Sequence, residues 1–500
     1  MIVLPLLLLL GCAHALQPDQ TWRLTEIEIP SADHRWPSRE CAQFLDALGI
    51  SGPQLGSGSF GRVYQGVCRK KAISHNPLVR RVYDNMKQSK PWTSNSLIDE
   101  PTVAIKSCSA VSQSKNLHSD TNAEVTIMKE LQELNALGKT RGFVHMLGYF
   151  QCGELKELGN QTWSVDPQSP KKYTYIVMDK LGSSLRSEIR QADLSMDALA
   201  AYLFETLFAI QTAFHEVGFV ARDLNAENIM VASEAVDDSR QGYYEFRLAS
   251  GQRYFIPRAV TQAKFVQIVD FGLSKMERPS RSDISLNAFV NDPNSKLSVE
   301  QMHMIDQFYI GINFLHLLTA RMLTQWQYKK PKQYRLLEDL FAKILSFEGL
   351  ENMMDSTFGL DEFVAQKRAR YFDLRCWARH LNGQHNYVLV LRTFNSNPIL
   401  KRKYGIPEIL AHPFFSQRFY MPNQEELMEK QAVLMGAMSY SSQFPRAGMP
   451  LPKKRSRFMR WLKSNKRWWN RLRDWFRRQR EKARKRRELH RQLDQRRFSR

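Results

Sequence analysis

Residues Gln54 to Val67 alternate between apolar and polar positions and carry glycines, a pattern that predicts two strands joined through a tight turn. A short apolar run, Val103-Ala104-Ile105, predicts a strand over Thr102 to Ser107. Between them, Cys68 to Pro101 is rich in Ser, Asn, Pro and Lys and reads as an inserted loop. From a cap at Ser119 or Asp120 to Leu137, Val125, Met128, Leu131 and Leu134 recur at helical spacing. Strands follow near Phe143 to Gln151 and Tyr173 to Asp179. Beyond Gly182 the period changes. Ala198 to Val217 is a long, mostly apolar helix fit for a core, and His303 to Leu318 is another. Between these helices, Tyr243 to Phe255 reads as an inserted hairpin, with Leu248-Ala249-Ser250-Gly251-Gln252 as its turn. Residues 321–400 have helical spacing and no chemical signal. There is no internal repeat.

Length and charge add an outline. Five hundred residues exceed one ordinary core and suit two lobes or domains plus tails. The net charge of +22 is unevenly placed: residues 453–500 hold 22 Lys and Arg against 4 acids, and the rest of the chain 50 against 46. The basicity therefore belongs to the tail. At the other end, Ile2 to Leu10 is an apolar run followed by Ala13-His14-Ala15, which reads as a signal peptide over residues 1–15, too short for a bilayer core that needs about 20 residues. Leu9-Leu10-Gly11-Cys12 also resembles a bacterial lipoprotein box, which stays open as an alternative. Cleavage after Ala15 would leave five cysteines, Cys41, Cys68, Cys108, Cys152 and Cys376, a sparse set read as core thiols with room for one or two bridges. Asn160-Gln161-Thr162 is a glycosylation sequon, in keeping with secretion.

Four motifs carry chemistry. Gly56, Gly58 and Gly61, with Val63 behind them, lack the side chains that would keep backbone N–H groups from phosphate oxygens. The strand-like continuation Arg62 to Val67 excludes a dinucleotide fingerprint, which needs a helix there. Lys106 stands in an apolar strand, where an unpaired ammonium is costly, and Glu124 in the next helix is its natural partner. Asp223, after Val220-Ala221-Arg222, is a candidate general base, and Asn228 five residues later a hard oxygen ligand. Asp270 ends the apolar run Val266 to Val269 as a second such ligand. Their order supplies a phosphate cradle, a fixed cation, a base and two Mg²⁺ ligands.

These motifs resemble a eukaryotic-type protein kinase domain over residues 50–418. Tyr175 to Asp179 resembles the strand into the kinase hinge, Asp306 and Gly311 the central large-lobe helix, and Ile406 to Phe415 the usual domain end. The resemblance implies a bilobal α+β fold, with a β-rich small lobe over 50–180 and a helical large lobe over 181–418. It implies ATP and Mg²⁺ as cofactors and transfer of the γ-phosphate to a Ser or Thr hydroxyl, in preference to Tyr, on a protein substrate. Asp223 would be the base, Lys106 and Glu124 would hold phosphates, and Asn228 and Asp270 would hold Mg²⁺. Gly56, Gly58, Gly61 and Val63 would cover the nucleotide, with Met178 as gatekeeper and the Asp179 and Leu181 backbones facing adenine. Leu181 to Leu185 and Asp270 to Lys275 lean toward casein-kinase-type sequences.

Departures accompany the match. Ala221 stands where such kinases carry His, Asn225 where Ser/Thr kinases carry Lys, and no Ala-Pro-Glu follows Asp270. Arg222 is retained, so a phosphate on Ser280, Ser282 or Ser285 could pair with it. A pseudokinase scaffold that binds ATP or a partner without turnover is the rival expectation. Outside the domain, residues 16–49 read as a polar lead-in and 419–452 as a linker. In the tail, Phe458, Trp461, Trp468, Trp469 and Trp475 fall at helical spacing among arginines, an amphipathic helix suited to an anionic membrane surface or an acidic protein. No nucleic-acid reader motif is present. Signal peptide, insertions and Arg-rich helix together resemble the secreted kinases of apicomplexan rhoptries, so the expected location is the secretory pathway, secreted or lumenal, with peripheral membrane attachment.

Overall fold

The alternation legible around Gln54 and Val103 builds one antiparallel sheet. The computed structural model of the protein describes residues 38–50, 54–58, 61–89, 101–109, 121–159, 162–166, 173–191, 194–233, 243–276, 297–348, 374–382 and 401–420. An N-terminal helix α1 (Ser38–Ala47) precedes strands β1 (Gly56–Gly58) and β2 (Gly61–Val67). Helices α2 (Lys70–His75) and α3 (Pro77–Ser89), strand β3 (Thr102–Ser109) and helix α4 (Thr121–Ala136) come next. Strands β4 (Met146–Cys152), β5 (Leu155–Gly159), β6 (Thr162–Val165) and β7 (Tyr173–Asp179) complete the small lobe. The main sheet runs β1-β2-β3-β7-β4 with every neighbour antiparallel, and β5 and β6 form a separate hairpin.

Because side chains alternate across a strand, each face of this sheet meets a different layer. Val103 and Ile105 of β3 and Tyr175 and Val177 of β7 join an outer cluster with Phe44, Leu45, Val79, Val82 and Met86. Ala104 and Cys108 point the other way, with Ile176 and Met178, into the larger core. Lys106 shares that inner side. The outer cover corrects two expectations. Cys68 to Pro101 is not simply a loop, since α2 and α3 occupy most of its first two-thirds, and the lead-in ends in α1 rather than in polar coil. Val79, Val82 and Met86 make a helical stripe that the Ser, Asn and Lys around them obscured, and Asn76 caps α3 by accepting from the N–H groups of Leu78 and Val79. Phe44 sits edge-on to Phe150, ring centroids 4.9 Å apart, which seats α1 on β4.

The large lobe follows: α5 (Leu185–Gln191), α6 (Met196–Val217), β8 (Phe219–Val220), β9 (Ile229–Ser233), β10 (Tyr243–Arg247), β11 (Arg253–Pro257), β12 (Lys264–Ile268) and β13 (Lys275–Met276). Then come α7 (Val299–Leu317), α8 (Ala320–Lys329), α9 (Pro331–Ile344), α10 (Leu374–Leu381), α11 (Ile406–Leu410) and α12 (Pro413–Phe419). The two helices read as core are core. Helix α6 starts at Ser195, whose hydroxyl accepts from Ala198 N–H, and stops at Gly218 in the left-handed region. A capping box of Ser298 and Gln301 opens α7. The expected inserted hairpin forms as β10 and β11, and it packs Phe246 and Tyr254 against Phe204 of α6. Arg141 bolts the two lobes together at this point: its guanidinium lies 3.2 Å from the Tyr244 ring centroid and 2.8 Å from the buried Glu205 carboxylate.

Cys152 is disulfide-bonded, whereas Cys68, Cys108 and Cys376 carry thiols. No helix among the described residues is long and apolar enough to cross a membrane. The expected signal segment, Asn160 of the sequon, Ser280, Ser282 and Ser285, the linker beyond Tyr420 and the expected amphipathic tail lie outside the described residues.

One buried group sets an acid limit on this fold. His303 of α7 is fully buried, stacked 3.9 Å from the Phe214 ring with Nε2 3.2 Å from Gln211 Oε1. Burial first, with the Arg402 charge adding, holds its imidazole down at about 3. The native state therefore refuses a proton that the unfolded chain accepts near pH 6.5, so stability is present above that value and falls as pH drops toward 3. Acidification from about pH 7 to pH 5 should cost about 2 kcal/mol through this residue. Urea unfolding of wild type and His303→Phe at both pH values checks it; parallel losses would remove His303 as the cause.

Candidate active site

Strand β3 delivers Lys106 to the inner face of the sheet, and α4 lays Glu124 against it in its first turn. Lys106 Nζ lies 2.5 Å from Glu124 Oε1 and 2.8 Å from Asp270 Oδ1. Lys106 and Glu124 are buried, while the Asp270 side chain is a third exposed. Desolvation would lower the Lys106 ammonium, but the Glu124 and Asp270 carboxylates outweigh it and hold the group above its ordinary range. Asp270 and Lys106 are 164 positions apart in sequence, so this pair closes the cleft between the lobes. Phe271, next in sequence, turns inward against Phe143 and Phe219, and its N–H points to Glu124 Oε1 at 3.3 Å.

The loop between β8 and β9 carries Asp223. Its neighbour Arg222 has φ of +64°, strained for a non-glycine residue. Asp306 of α7 holds that conformation, accepting from the N–H groups of Ala221 and Arg222, each at 2.7 Å. Burial pushes the Asp306 carboxyl up to about 7 despite these two bonds and the Arg222 charge. Asn313 donates to Leu224 C=O and fixes the loop's far side. Within the loop, Asn225 Oδ1 accepts from Glu227 and Asn228 N–H, and Asn225 Nδ2 lies 3.2 Å from Asp223 Oδ1. Asn225 is thus a turn former that braces Asp223. Burial raises the Asp223 carboxyl above its ordinary range, and the Asp270 charge adds to this, against the bonds from Asn225 and Asn228.

The oxygen donors suit a hard cation. Asn228 Nδ2 donates to Asp223 C=O at 2.9 Å and to Asp223 Oδ2 at 3.2 Å, which leaves its own Oδ1 without a hydrogen bond among the described residues. Asp270, at φ of +64°, uses Oδ1 for Lys106 and keeps Oδ2. Val269 N–H donates to Asn228 C=O, so the two ligands are tied side by side. Two protein oxygens form an incomplete shell, which is what Mg²⁺ shared with phosphates requires. Such an ion would offset phosphate charge.

The nucleotide wall is partly as expected. Val63 pairs with Lys106 across β2 and β3, and Ala104 with Met178 across β3 and β7. Asp179 N–H is taken by His145 C=O, whereas the Leu181 N–H and C=O make no hydrogen bond among the described residues and can face a base. Gly56 and Gly58 lie on β1, opposite Val63 and Gly61. A Cβ at Gly56 would meet open space, as a flap over phosphates needs. Gly61 has a different reason: φ is +154° and a Cβ would stand 2.3 Å from Ser107 C=O.

The structure thus brings Lys106, Glu124 and Asp270 together, ties Asn228 to Asp223, and places Val63 and Met178 on the strands that flank β3. Two positioning residues were missed as such, Asp306 and Asn225. The signal for Asp306 was a carboxylate inside an apolar helix; for Asn225 it was the amide two residues after the base. The comparisons agree with the geometry. A family model described as protein tyrosine and serine/threonine kinase matches residues 51–303, just over half of the chain. No curated protein matches it. The chain belongs to the protein tyrosine and serine/threonine kinase family.

Proposed function

We propose that this protein is an active kinase of the secretory pathway that transfers the γ-phosphate of ATP to Ser or Thr hydroxyls of proteins. One observation carries the activity: Lys106, held between Glu124 and Asp270, shares its cleft with Asp223 and Asn228. In this reading Lys106 fixes the phosphates, Asn228 and Asp270 bind Mg²⁺, and Asp223 takes the proton of the acceptor hydroxyl. Its raised basicity suits that task. Asn225 supplies no cation to the transferred phosphate, so Lys106 and the metal carry that charge. The casein-kinase-like runs at Leu181 and Asp270 support Ser or Thr over Tyr. The apolar N-terminus, the sequon and the Cys152 disulfide support an oxidising compartment.

The test is transfer of labelled γ-phosphate from ATP to mixed Ser-, Thr- and Tyr-containing peptides, with Mg²⁺ and with chelator. Mg²⁺-dependent label on Ser or Thr is expected. Nucleotide binding without transfer would establish the scaffold reading instead, and label on Tyr alone would move the acceptor class.

A further inference from the structure

The catalytic reading leaves the outer face of α8 and the start of α9 without a role. Leu323 and Trp326 commit one side of α8 to the core, and Tyr334, Leu337 and Phe341 do the same for α9. Toward solvent stand Arg321, Tyr328 and Lys329, spaced to share one helical face, with Lys332 and Arg335 following across the turn. No Asp or Glu occurs from Ala320 to Leu337. None of Arg321, Lys329, Lys332 and Arg335 has a carboxylate partner among the described residues. The turn that presents them is fixed, because Asp197 accepts from both Lys330 at 3.1 Å and Arg418 at 3.0 Å.

A row of solvated cations alone is ordinary for a helix. Here a ring sits among them: Tyr328 is 88% exposed, more than the other exposed large hydrophobic residues among those described, Leu55 at 45% and Leu137 at 65%. Aromatic rings and arginines are what protein interfaces concentrate at their centres. We propose that this face docks an acidic segment of the protein substrate, whose carboxylates meet the four cations while an apolar side chain covers Tyr328. The substrate identity rests on the kinase reading above; the docking does not. A bilayer fits less well, since α8 has already buried its apolar stripe and offers one ring, not an apolar face, to insert. Nucleic acid would use the charges and leave the ring idle. An acidic segment uses both. Docking on a rigid face of the same lobe as Asp223 raises the local concentration of the acceptor without adding contacts at the reacting atoms.

The experiment uses the full-length protein, so that the basic tail contributes equally in every arm. The probe is a fluorescein-labelled peptide carrying one Ser, a run of Asp and Glu, and a Leu; its control replaces the acids by Asn and Gln. Wild type is compared with Arg321→Glu/Lys329→Glu/Lys332→Glu, with the corresponding alanine set, and with Tyr328→Ala, each checked by thermal unfolding. Charge reversal should weaken acidic-peptide binding, read by anisotropy, by about tenfold, and Tyr328→Ala by about threefold. The KM for that peptide should rise in step, with kcat and the KM for the control changed by no more than about twofold. Unchanged anisotropy in both the reversed and alanine sets overturns the proposal. So does loss of phosphatidylserine-vesicle or oligonucleotide binding with peptide binding intact. Peptide binding that follows these variants in a protein that transfers no phosphate keeps the docking face and removes the kinase reading.

Discussion

Asp223→Ala is expected to lower kcat for peptide phosphorylation by about 10²–10⁴-fold while the KM for ATP stays within about threefold. The asymmetry follows from where Asp223 sits. It has no hydrogen bond or ion pair to Lys106 or the hinge among the described residues; its carboxylate accepts from Asn225 and Asn228. Removing it takes away the acceptor for the hydroxyl proton and leaves the groups that hold the nucleotide. Asp223→Asn separates chemistry from scaffolding, because it keeps the shape of the loop and removes the base. Both variants should therefore be equally impaired in turnover, although the asparagine keeps an acceptor for one of the two loop amides and the alanine for neither. Steady-state kinetics with nucleotide binding measured separately makes the comparison. Turnover by Asp223→Asn at the wild-type rate would deny the residue its role as base.

The chemistry of this cleft was legible before its geometry because each motif pairs a local conformation with an unusual residue. A lysine inside Val103-Ala104-Ile105 has to find an anion, and an aspartate closing Val266 to Val269 stands at a strand end whatever the rest of the chain does. The outer cap was not legible. Val79, Val82 and Met86 gain their meaning only from Val103, Ile105 and Tyr175 on a sheet that follows them in sequence, and their polar neighbours dominate the local composition. Arg141 shows the same limit: nothing beside it in sequence announces Glu205, or Tyr244 on an inserted hairpin. Asn225 was legible as a departure from the family pattern but not as a brace, since its two backbone donors and the Asp223 oxygen converge only when the loop folds.

Lys106→Met should produce the second large effect, and it should appear in two measurements. Transfer should fall by about 10²-fold or more, because the variant loses the cation that positions phosphate. Stability of the nucleotide-free protein should fall as well. Breaking a buried ion pair from one side costs about 3–5 kcal/mol; Asp270 is a third exposed and can be partly solvated, so the lower end applies here, about 3 kcal/mol. The loss comes from two carboxylates left facing one another without a cation. Lys106→Arg restores the charge but not the point geometry between Glu124 and Asp270, so it should recover part of the stability and little of the transfer. Glu124→Gln completes the set by relieving the repulsion: in the Lys106→Met background it should regain stability and no activity. Urea unfolding and phosphate transfer on the four proteins test the scheme. If Lys106→Met unfolds at the wild-type midpoint, the ammonium is not what holds Glu124 and Asp270 together, and the closed arrangement of the cleft must have another source.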